Sequence, residues 1–188
     1  LRFDAQNMTD EVAGNSWTLG SGNTFTQGFE SGYGLKMGGV AAPSITKTLN
    51  LYGNIVTMSA WIKLNAYGQY EGVLYAGSLG SNTNRDNLYV YPDGELRVYR
   101  QAGTNTGTTI STGYIVPLNE WIHVAYERDG VNQRVFVNHV LISADINTAN
   151  LTPVSNVYIG GNRSGGVAIY SKLEFDNVLI TLGSNRFS

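Results

Sequence analysis

The sequence contains no cysteine and little charge. Without cysteine, disulfide bonds do not hold the fold, and no thiolate is available as a nucleophile or metal ligand. Charged residues make up 14% of the 188 residues, against roughly 25% in typical soluble domains. The 12 Lys and Arg residues are scattered and the formal net charge is −2, so the chain lacks the basic stripe that neutralises phosphates. Nucleic acid is not an expected partner.

Long apolar runs are also missing. No segment approaches the roughly 20 apolar residues that a membrane helix needs, and the segment from Leu1 lacks the pattern of a signal peptide. We therefore expect no membrane insertion. With 42% hydrophobic residues the chain is long enough for a large core. We expect one domain over residues 1–188 that is part of a longer protein.

Apolar residues recur at two-residue spacing, and Gly, Asn or Thr interrupt nearly every helical window, which predicts an all-β chain. The predicted strands are Leu1–Phe3, Leu35–Met37, Ile45–Leu51, Val56–Leu64, Gly72–Ala76, Asn87–Tyr91, Glu95–Gln101, Thr108–Ser111, Trp121–Arg128, Gln133–Val137, Val157–Ile159 and Leu173–Ile180. The predicted loops are Gly14–Gly34, Asn65–Glu71, Ser78–Asp86, Gly103–Gly107 and Asn162–Gly166. Many short strands separated by turns favour a two-sheet sandwich.

Four motifs carry a family resemblance. Two alternating strands flank Asp129-Gly130 between Glu120 and Asn138, as a hairpin requires. Further matches are Ser-Ala-Trp-Ile-Lys within Met58–Leu64, Tyr-Ile-Gly-Gly within Val157–Asn162, and the closing segment Phe175–Ile180. The ordered set resembles laminin-G-like domains of the concanavalin A-like class. The resemblance implies an all-β fold, a two-sheet antiparallel jelly-roll sandwich.

One position departs from the family pattern. His139 follows Asn138 where the family usually has a turn glycine. A residue with a Cβ tolerates positive φ less well than glycine. We therefore expect the tight turn at this point to be disfavoured.

The hairpin Leu88–Tyr99, which turns at Pro92–Gly94, separates its residues by face. One face carries Leu88, Val90, Leu96 and Val98, and the other carries Tyr89, Tyr91, Arg97 and Tyr99. Aromatic rings beside a hydrogen-bond donor suit a sugar, which has an apolar C–H face and hydroxyls that need polar partners. The alternative is that the tyrosines are simply good strand formers on a partly covered face.

A second candidate ligand site lies in polar, aromatic loops. Its residues are Tyr67, Tyr70, Asn84, Arg85 and Asp86. Loops rich in Tyr, Asn and Arg combine aromatic area with adaptable polar contacts. The alternative is a solvated loop without a ligand.

The resemblance also implies a metal site. Related jelly rolls use a calcium ion to tie the N-terminal segment to the last strand, and the matching aspartates here are Asp10 and Asp176. Calcium prefers oxygen ligands, which carboxylates and carbonyls of Gly-rich loops provide. The expected ion is structural Ca²⁺. The alternative is that Asp176 is a capped turn aspartate and Asp10 an aspartate of an N-terminal loop.

Catalytic motifs are incomplete. Retaining glycanases of this class need acidic residues at three alternating positions, and Glu174 and Asp176 are followed by Val178. The jelly-roll lyase pattern needs a Gln-x-His strand, which is absent around His123. His123 matches a histidine found in many noncatalytic family members, and we interpret it as a packed sheet residue.

These observations favour a noncatalytic module that binds a glycan or polysaccharide, in a phage tail or other virion adhesin or in a secreted bacterial protein. The expected location is extracellular or on a virion surface. A different hypothesis is a structural or protein-interaction domain that contacts other virion or surface proteins. A third is a divergent polysaccharide-degrading enzyme, because the fold alone does not decide activity.

Overall fold

The computed structural model describes residues 21–29, 32–38, 45–51, 55–77, 84–103, 107–147, 154–164, 167–182 and 187. The described residues form antiparallel strands and no helix, and none of them belongs to a helix able to cross a membrane. The predicted strand Leu1–Phe3 lies outside the described residues. The all-β prediction is confirmed.

Fifteen strands are present in the described chain. Their bounds are β1 Thr24–Gln27, β2 Tyr33–Lys36, β3 Ile45–Leu51, β4 Ile55–Lys63, β5 Glu71–Ala76, β6 Arg85–Val90, β7 Glu95–Gln101, β8 Thr108–Ile115, β9 Trp121–Asp129, β10 Asn132–Val137, β11 Val140–Ile146, β12 Val154–Ile159, β13 Gly161–Ser164, β14 Val167–Tyr170 and β15 Glu174–Leu182.

The strands form two large sheets and a small hairpin. The seven-stranded sheet has the order β1-β2-β15-β4-β9-β10-β11, and the six-stranded sheet has the order β3-β12-β5-β6-β7-β8. Strands β13 and β14 pair with each other as a separate two-stranded sheet. Alternate side chains of both large sheets meet in one hydrophobic core, which includes Met58, Leu74, Val98 and Phe175. Burying each such side chain contributes roughly 1.5–3 kcal/mol, so the core fixes which face of each strand points outward.

The two hairpins that the sequence marked with Asp-Gly turns are confirmed. Strands β6 and β7 pair from Arg85 with Gln101 to Val90 with Leu96, and β9 pairs with β10 around Gly130. Several loop predictions were wrong, and one strand was missed. Strands β1 and β2 begin inside the predicted loop Gly14–Gly34, β13 and β14 occupy most of Asn162–Gly166 and its flanks, and β11 was not predicted.

The turn after β10 corrects another expectation. Val137 pairs with Val140 across a two-residue turn, and both Asn138 and His139 have positive φ, 48° and 67°. The turn therefore forms despite the Cβ of His139. Two contacts compensate for the strain: Asn138 Oδ1 accepts the His123 backbone N–H at 2.9 Å, and the His139 ring stacks on His123 at 4.6 Å.

Candidate functional site

The hairpin of β6 and β7 presents its tyrosines away from the core, as the alternation predicted. Leu88, Val90, Leu96 and Val98 are at most 1% exposed and belong to the core. The opposite side chains lie on the outer surface of the six-stranded sheet. We call this surface the tyrosine face, defined by Tyr70, Arg85, Tyr89, Tyr91, Arg97 and Tyr99.

Tyr70 joins the two candidate sites that the sequence kept apart. Its ring, from the β4–β5 loop, meets Tyr91 edge to face at 5.0 Å and 87°, and lies 6.3 Å from Tyr89. A hydrogen bond with Tyr70 is the first cause that raises the pKa of Tyr91 above its usual value. The three rings form one aromatic cluster whose edge-to-face geometry is favourable.

Tyr89 is the covered member of this cluster. It is 6% exposed, and burial raises the pKa of its hydroxyl to about 12. Tyr89 is therefore not the open aromatic platform that the sequence predicted, because its ring is largely covered and packs against Tyr70. Its part in ligand binding stays a prediction.

Arg97 fixes the ring of Tyr91 and is itself neutralised. Its guanidinium lies 3.7 Å from the centre of the Tyr91 ring and pairs with Glu95 at 2.5 Å. Burial alone would raise the pKa of Glu95, but hydrogen bonds from Ser111, the Gly113 N–H and Arg97 lower it. Glu95 thus stays ionised beside Arg97 at neutral pH, and the charge of Arg97 is compensated within the protein.

Tyr99 forms the second part of the tyrosine face with Arg85. The Arg85 Cζ lies 4.5 Å from the centre of the Tyr99 ring, within the range of a cation–π contact. The Tyr99 hydroxyl accepts the Gly107 N–H at 3.1 Å. A Cβ on Gly107 would collide with the Tyr99 ring and with the Arg100 carbonyl oxygen, so only glycine fits here. Tyr99 is therefore held at its hydroxyl end as well as under the guanidinium.

Two predicted site residues lie at the ends of the hairpin rather than on the tyrosine face. Tyr67 is 42% exposed, its ring covers Gly94, and its hydroxyl donates to the Val116 carbonyl at 2.7 Å. Asn84 accepts the Gly103 N–H on Oδ1 at 2.7 Å. Both side chains fasten a turn, which is a structural contact that the loop composition did not distinguish from ligand binding.

Asp86 is the clearest correction among the predicted site residues. It is the second residue of β6, not a loop residue, and it is 2% exposed on the core side of the sheet. Arg128 Nε lies 3.2 Å from Oδ2, and Arg100 Nε lies 3.9 Å from Oδ1. The hydroxyl of Tyr126 donates to Oδ1 at 3.3 Å. From this interior position Asp86 joins the two sheets and does not face a ligand.

A cleft with a volume of about 510 Å³ lies beside Tyr67. No pattern in the sequence indicated this cleft. Its lining includes Lys36, Asn65, Tyr67, Gln69, Glu71 and Lys172. Glu71 is occupied there, because Oε2 accepts the Ser171 hydroxyl at 2.8 Å and the Lys172 N–H at 2.6 Å. The lining comes from chain segments far apart in sequence, which local patterns do not bring together.

Asp176, one of the two predicted calcium ligands, caps backbone turns in this structure. Oδ2 accepts the Phe29 N–H at 2.9 Å and Oδ1 accepts the Asn177 N–H at 2.7 Å. Both oxygens thus face positive N–H ends, an arrangement that fits a cap better than a cation site. Among the described residues no group of three or more His, Cys, Asp or Glu side chains is placed to hold a metal. Asp10 lies outside the described residues, so the calcium site stays a prediction.

The strand that could have carried glycanase carboxylates does not assemble them. Glu174 pairs with Lys63 at 2.7 Å, and Asp176 is engaged by backbone donors. The register with β4 shifts between Asp176 and Leu179, and Val178 is 3% exposed in the core. This bulge ends the alternation that a third carboxylate on the same face would require.

His123 is packed, as predicted. It is 6% exposed between His139 and Trp61, whose ring centres lie 4.6 Å and 5.5 Å away. Burial and the nearby His139 lower the pKa of His123 from its usual 6.5 to about 4. The folded protein therefore keeps this imidazole neutral where the unfolded chain protonates it.

We expect His123 to make stability fall as the pH drops from 6.5 towards 4. In that window the unfolded state binds one proton more than the folded state, which gives a slope of up to about 1.4 kcal/mol per pH unit. Urea unfolding of the wild type and His123→Phe at pH 7, 6, 5 and 4 measures this, since phenylalanine keeps the ring but does not titrate. Parallel curves for both proteins would show that His123 contributes nothing.

Comparisons with known proteins agree with this architecture. A family described as the concanavalin A-like lectin/glucanases superfamily, of the laminin G type, matches residues 36–180. No curated protein matches the chain in sequence.

Several solved structures share the fold. Domain 4 of the extracellular arabinanase AbnA from Geobacillus stearothermophilus, in complex with arabinotriose, is 16% identical, with a TM-score of 0.71 over 95% of this chain and 91% of that one. The binding domain of botulinum neurotoxin serotype D/C is 14% identical, with a TM-score of 0.73 over 96% of this chain and 47% of that one. The chain thus spans less than half of that toxin domain.

A third structure, the SAP-like pentraxin of Limulus polyphemus, is 17% identical, with a TM-score of 0.55 over 84% of this chain and 74% of that one. At these identities the structures show a shared fold. The family match, however, covers most of the sequence and includes all four motifs that first suggested it. The chain belongs to the concanavalin A-like lectin/glucanases superfamily.

Proposed function

We propose that this chain is a noncatalytic glycan-binding module whose ligand lies on the tyrosine face. The observation that carries the proposal is the preorganised contact between Tyr70 and Tyr91, with Arg97 held over the Tyr91 ring. Rings fixed in this way lose little entropy when a sugar stacks on them. The Arg97 and Tyr hydroxyl donors next to the rings match the hydroxyls of a pyranose or furanose.

Solved structures with the same fold support a carbohydrate ligand. The AbnA domain was solved with arabinotriose, and a botulinum neurotoxin of type C is described as entering cells through two ganglioside molecules. The latter matches at 11% identity with a TM-score of 0.71. We extend the ligand class, but not the specific sugar, to this chain. An extracellular or virion-surface setting, as part of an adhesin or a secreted protein, belongs to the same proposal.

Tyr91→Ala is expected to weaken glycan binding at least about tenfold, because aromatic anchors carry much of the energy of such contacts. A broad glycan array identifies the ligand, and titration calorimetry then compares the variant with the wild type. Tyr33→Ala is the matched control, since Tyr33 is a 39% exposed tyrosine on the seven-stranded sheet. The absence of any bound glycan on the array, or equal affinity of Tyr91→Ala and wild type, would refute the proposal.

A protein-interaction role is favoured by a different surface. Strand β11 is an edge of the seven-stranded sheet, and Val140, Leu141 and Ile146 on it are 64%, 50% and 67% exposed. An exposed edge strand with apolar side chains is suited to pairing with another chain. Light scattering of the purified chain tests this second function: a monomer at every concentration argues against self-association through β11.

A further inference from the structure

Arg85 occupies an unusual position on the tyrosine face. It is the first residue of β6, pairs with Gln101 of β7, and shares the outward alternation of Tyr89. Although its side chain lies on the outer side of the sheet, Arg85 is only 8% exposed. Its guanidinium is stacked on Tyr99 at 4.5 Å. The cation is thus fixed and largely removed from bulk water.

The guanidinium of Arg85 has donors without acceptors. Its Nε and Nη1 are buried and have no hydrogen-bond partner, and Arg85 forms no ion pair with any described residue. By contrast, Arg97 pairs with Glu95, and Arg128 pairs with Asp86. A buried cation without a compensating anion is costly, and so are buried N–H groups without acceptors. An anionic ligand group would satisfy both needs.

We propose that Arg85 binds the carboxylate of an acidic sugar, so that the ligand of the tyrosine face is an acidic glycan. A guanidinium presents parallel N–H donors that match the two oxygens of a carboxylate. The Tyr99 ring covers one face of the guanidinium, so the group keeps the fixed orientation that such a pairing needs. A neutral hydroxyl would accept one hydrogen bond but leave the charge uncompensated. This inference rests on the glycan-binding function proposed above and narrows its ligand class.

The test uses acidic oligosaccharides on an array, each paired with its carboxyl methyl ester. The ester keeps the shape and removes the charge. Because hydrogen bonds to charged groups are stronger than neutral ones, the wild type should bind the acids at least about tenfold more tightly than the esters. Arg85→Gln should lower the affinity for the acids to that for the esters and leave the ester affinity within about threefold of the wild type.

Two further variants separate binding from folding. Arg134→Gln removes the same charge from β10 of the other sheet and should keep the preference for acids. Arg85→Lys keeps the charge but loses the planar fork, so an intermediate preference is expected. Removal of an uncompensated cation should also leave the melting temperature of Arg85→Gln unchanged or higher.

The outcomes are distinct. Equal binding of acids and esters, binding of neutral glycans only, or an acid preference that survives in Arg85→Gln would overturn the role of Arg85 while the glycan-binding function stands. A wild type that binds no glycan of either kind would overturn both.

Discussion

Replacing Asp86 with alanine is expected to lower the free energy of unfolding by about 3–5 kcal/mol, the range for breaking a buried ion pair by removal of one partner. Asp86 lies between the sheets, 3.2 Å from Arg128 Nε and 3.9 Å from Arg100 Nε. Both arginines are at most 4% exposed. Without the carboxylate, both buried guanidinium groups would lose the anion that they share.

Burial and the two arginines act in opposite directions on Asp86. The pKa of Asp86 lies above its usual value, because burial raises it by more than Arg128, Arg100 and the hydrogen bond from Tyr126 lower it. With two guanidinium groups this close, we expect the carboxylate to be ionised at neutral pH. Burial and the negative charge of Asp86 raise the pKa of Tyr126 well above its usual value, so its hydroxyl remains a donor.

Urea unfolding at pH 7 measures the loss. Asp145→Ala is the control, because Asp145 is an exposed aspartate on β11 and surface substitutions usually change stability by less than about 0.5 kcal/mol. A double-mutant cycle with Arg128→Ala should also show that the two losses are not additive. If Asp86→Ala were no less stable than Asp145→Ala, the ion cluster would not hold the sheets together.

For Asp86, the sequence contained the strand face on which the side chain lies but not the partners that it meets. Asp86, Leu88 and Val90 alternate on one strand face, so the period that placed the leucine in the core also places the aspartate there. The polar composition of its neighbourhood, Asn82–Asn87, predicted a loop at this position instead. The partners of Asp86 come from β7 and β9, and a single-strand pattern does not reveal which arginines meet it.

The candidate site could also be predicted from the sequence only in part. Period-two spacing correctly placed Tyr91, Arg97 and Tyr99 on the face opposite the core, because that spacing is a property of the backbone. It did not predict that Tyr70 would cover Tyr89, since a loop side chain reaches this face only through tertiary packing. Strand β11 was missed for a related reason: as an edge strand it leaves apolar residues exposed and lacks the alternation of a half-buried strand.

Replacing Asp176 with alanine is expected to cost about 2–6 kcal/mol, because two backbone donors lose their acceptor and each unsatisfied group costs about 1–3 kcal/mol. The affected N–H groups belong to Phe29 and Asn177. Phe29 stacks on Trp61 at 3.6 Å, so its N–H bond to Asp176 holds the β1–β2 turn against the seven-stranded sheet. Asp176→Asn retains an acceptor and should recover about half of the loss.

Chelation separates this cap from the calcium site that the family resemblance implied. If Asp176 acts as a cap, the wild type should unfold at the same urea concentration in EDTA and in millimolar calcium, and the loss in Asp176→Ala should be equal in both. Calcium that binds only the folded state would instead stabilise the wild type with increasing concentration. EDTA would then reproduce much of the effect of Asp176→Ala, because the carboxylate would act mainly through the ion. The two backbone N–H groups already on the carboxylate oxygens favour the first result.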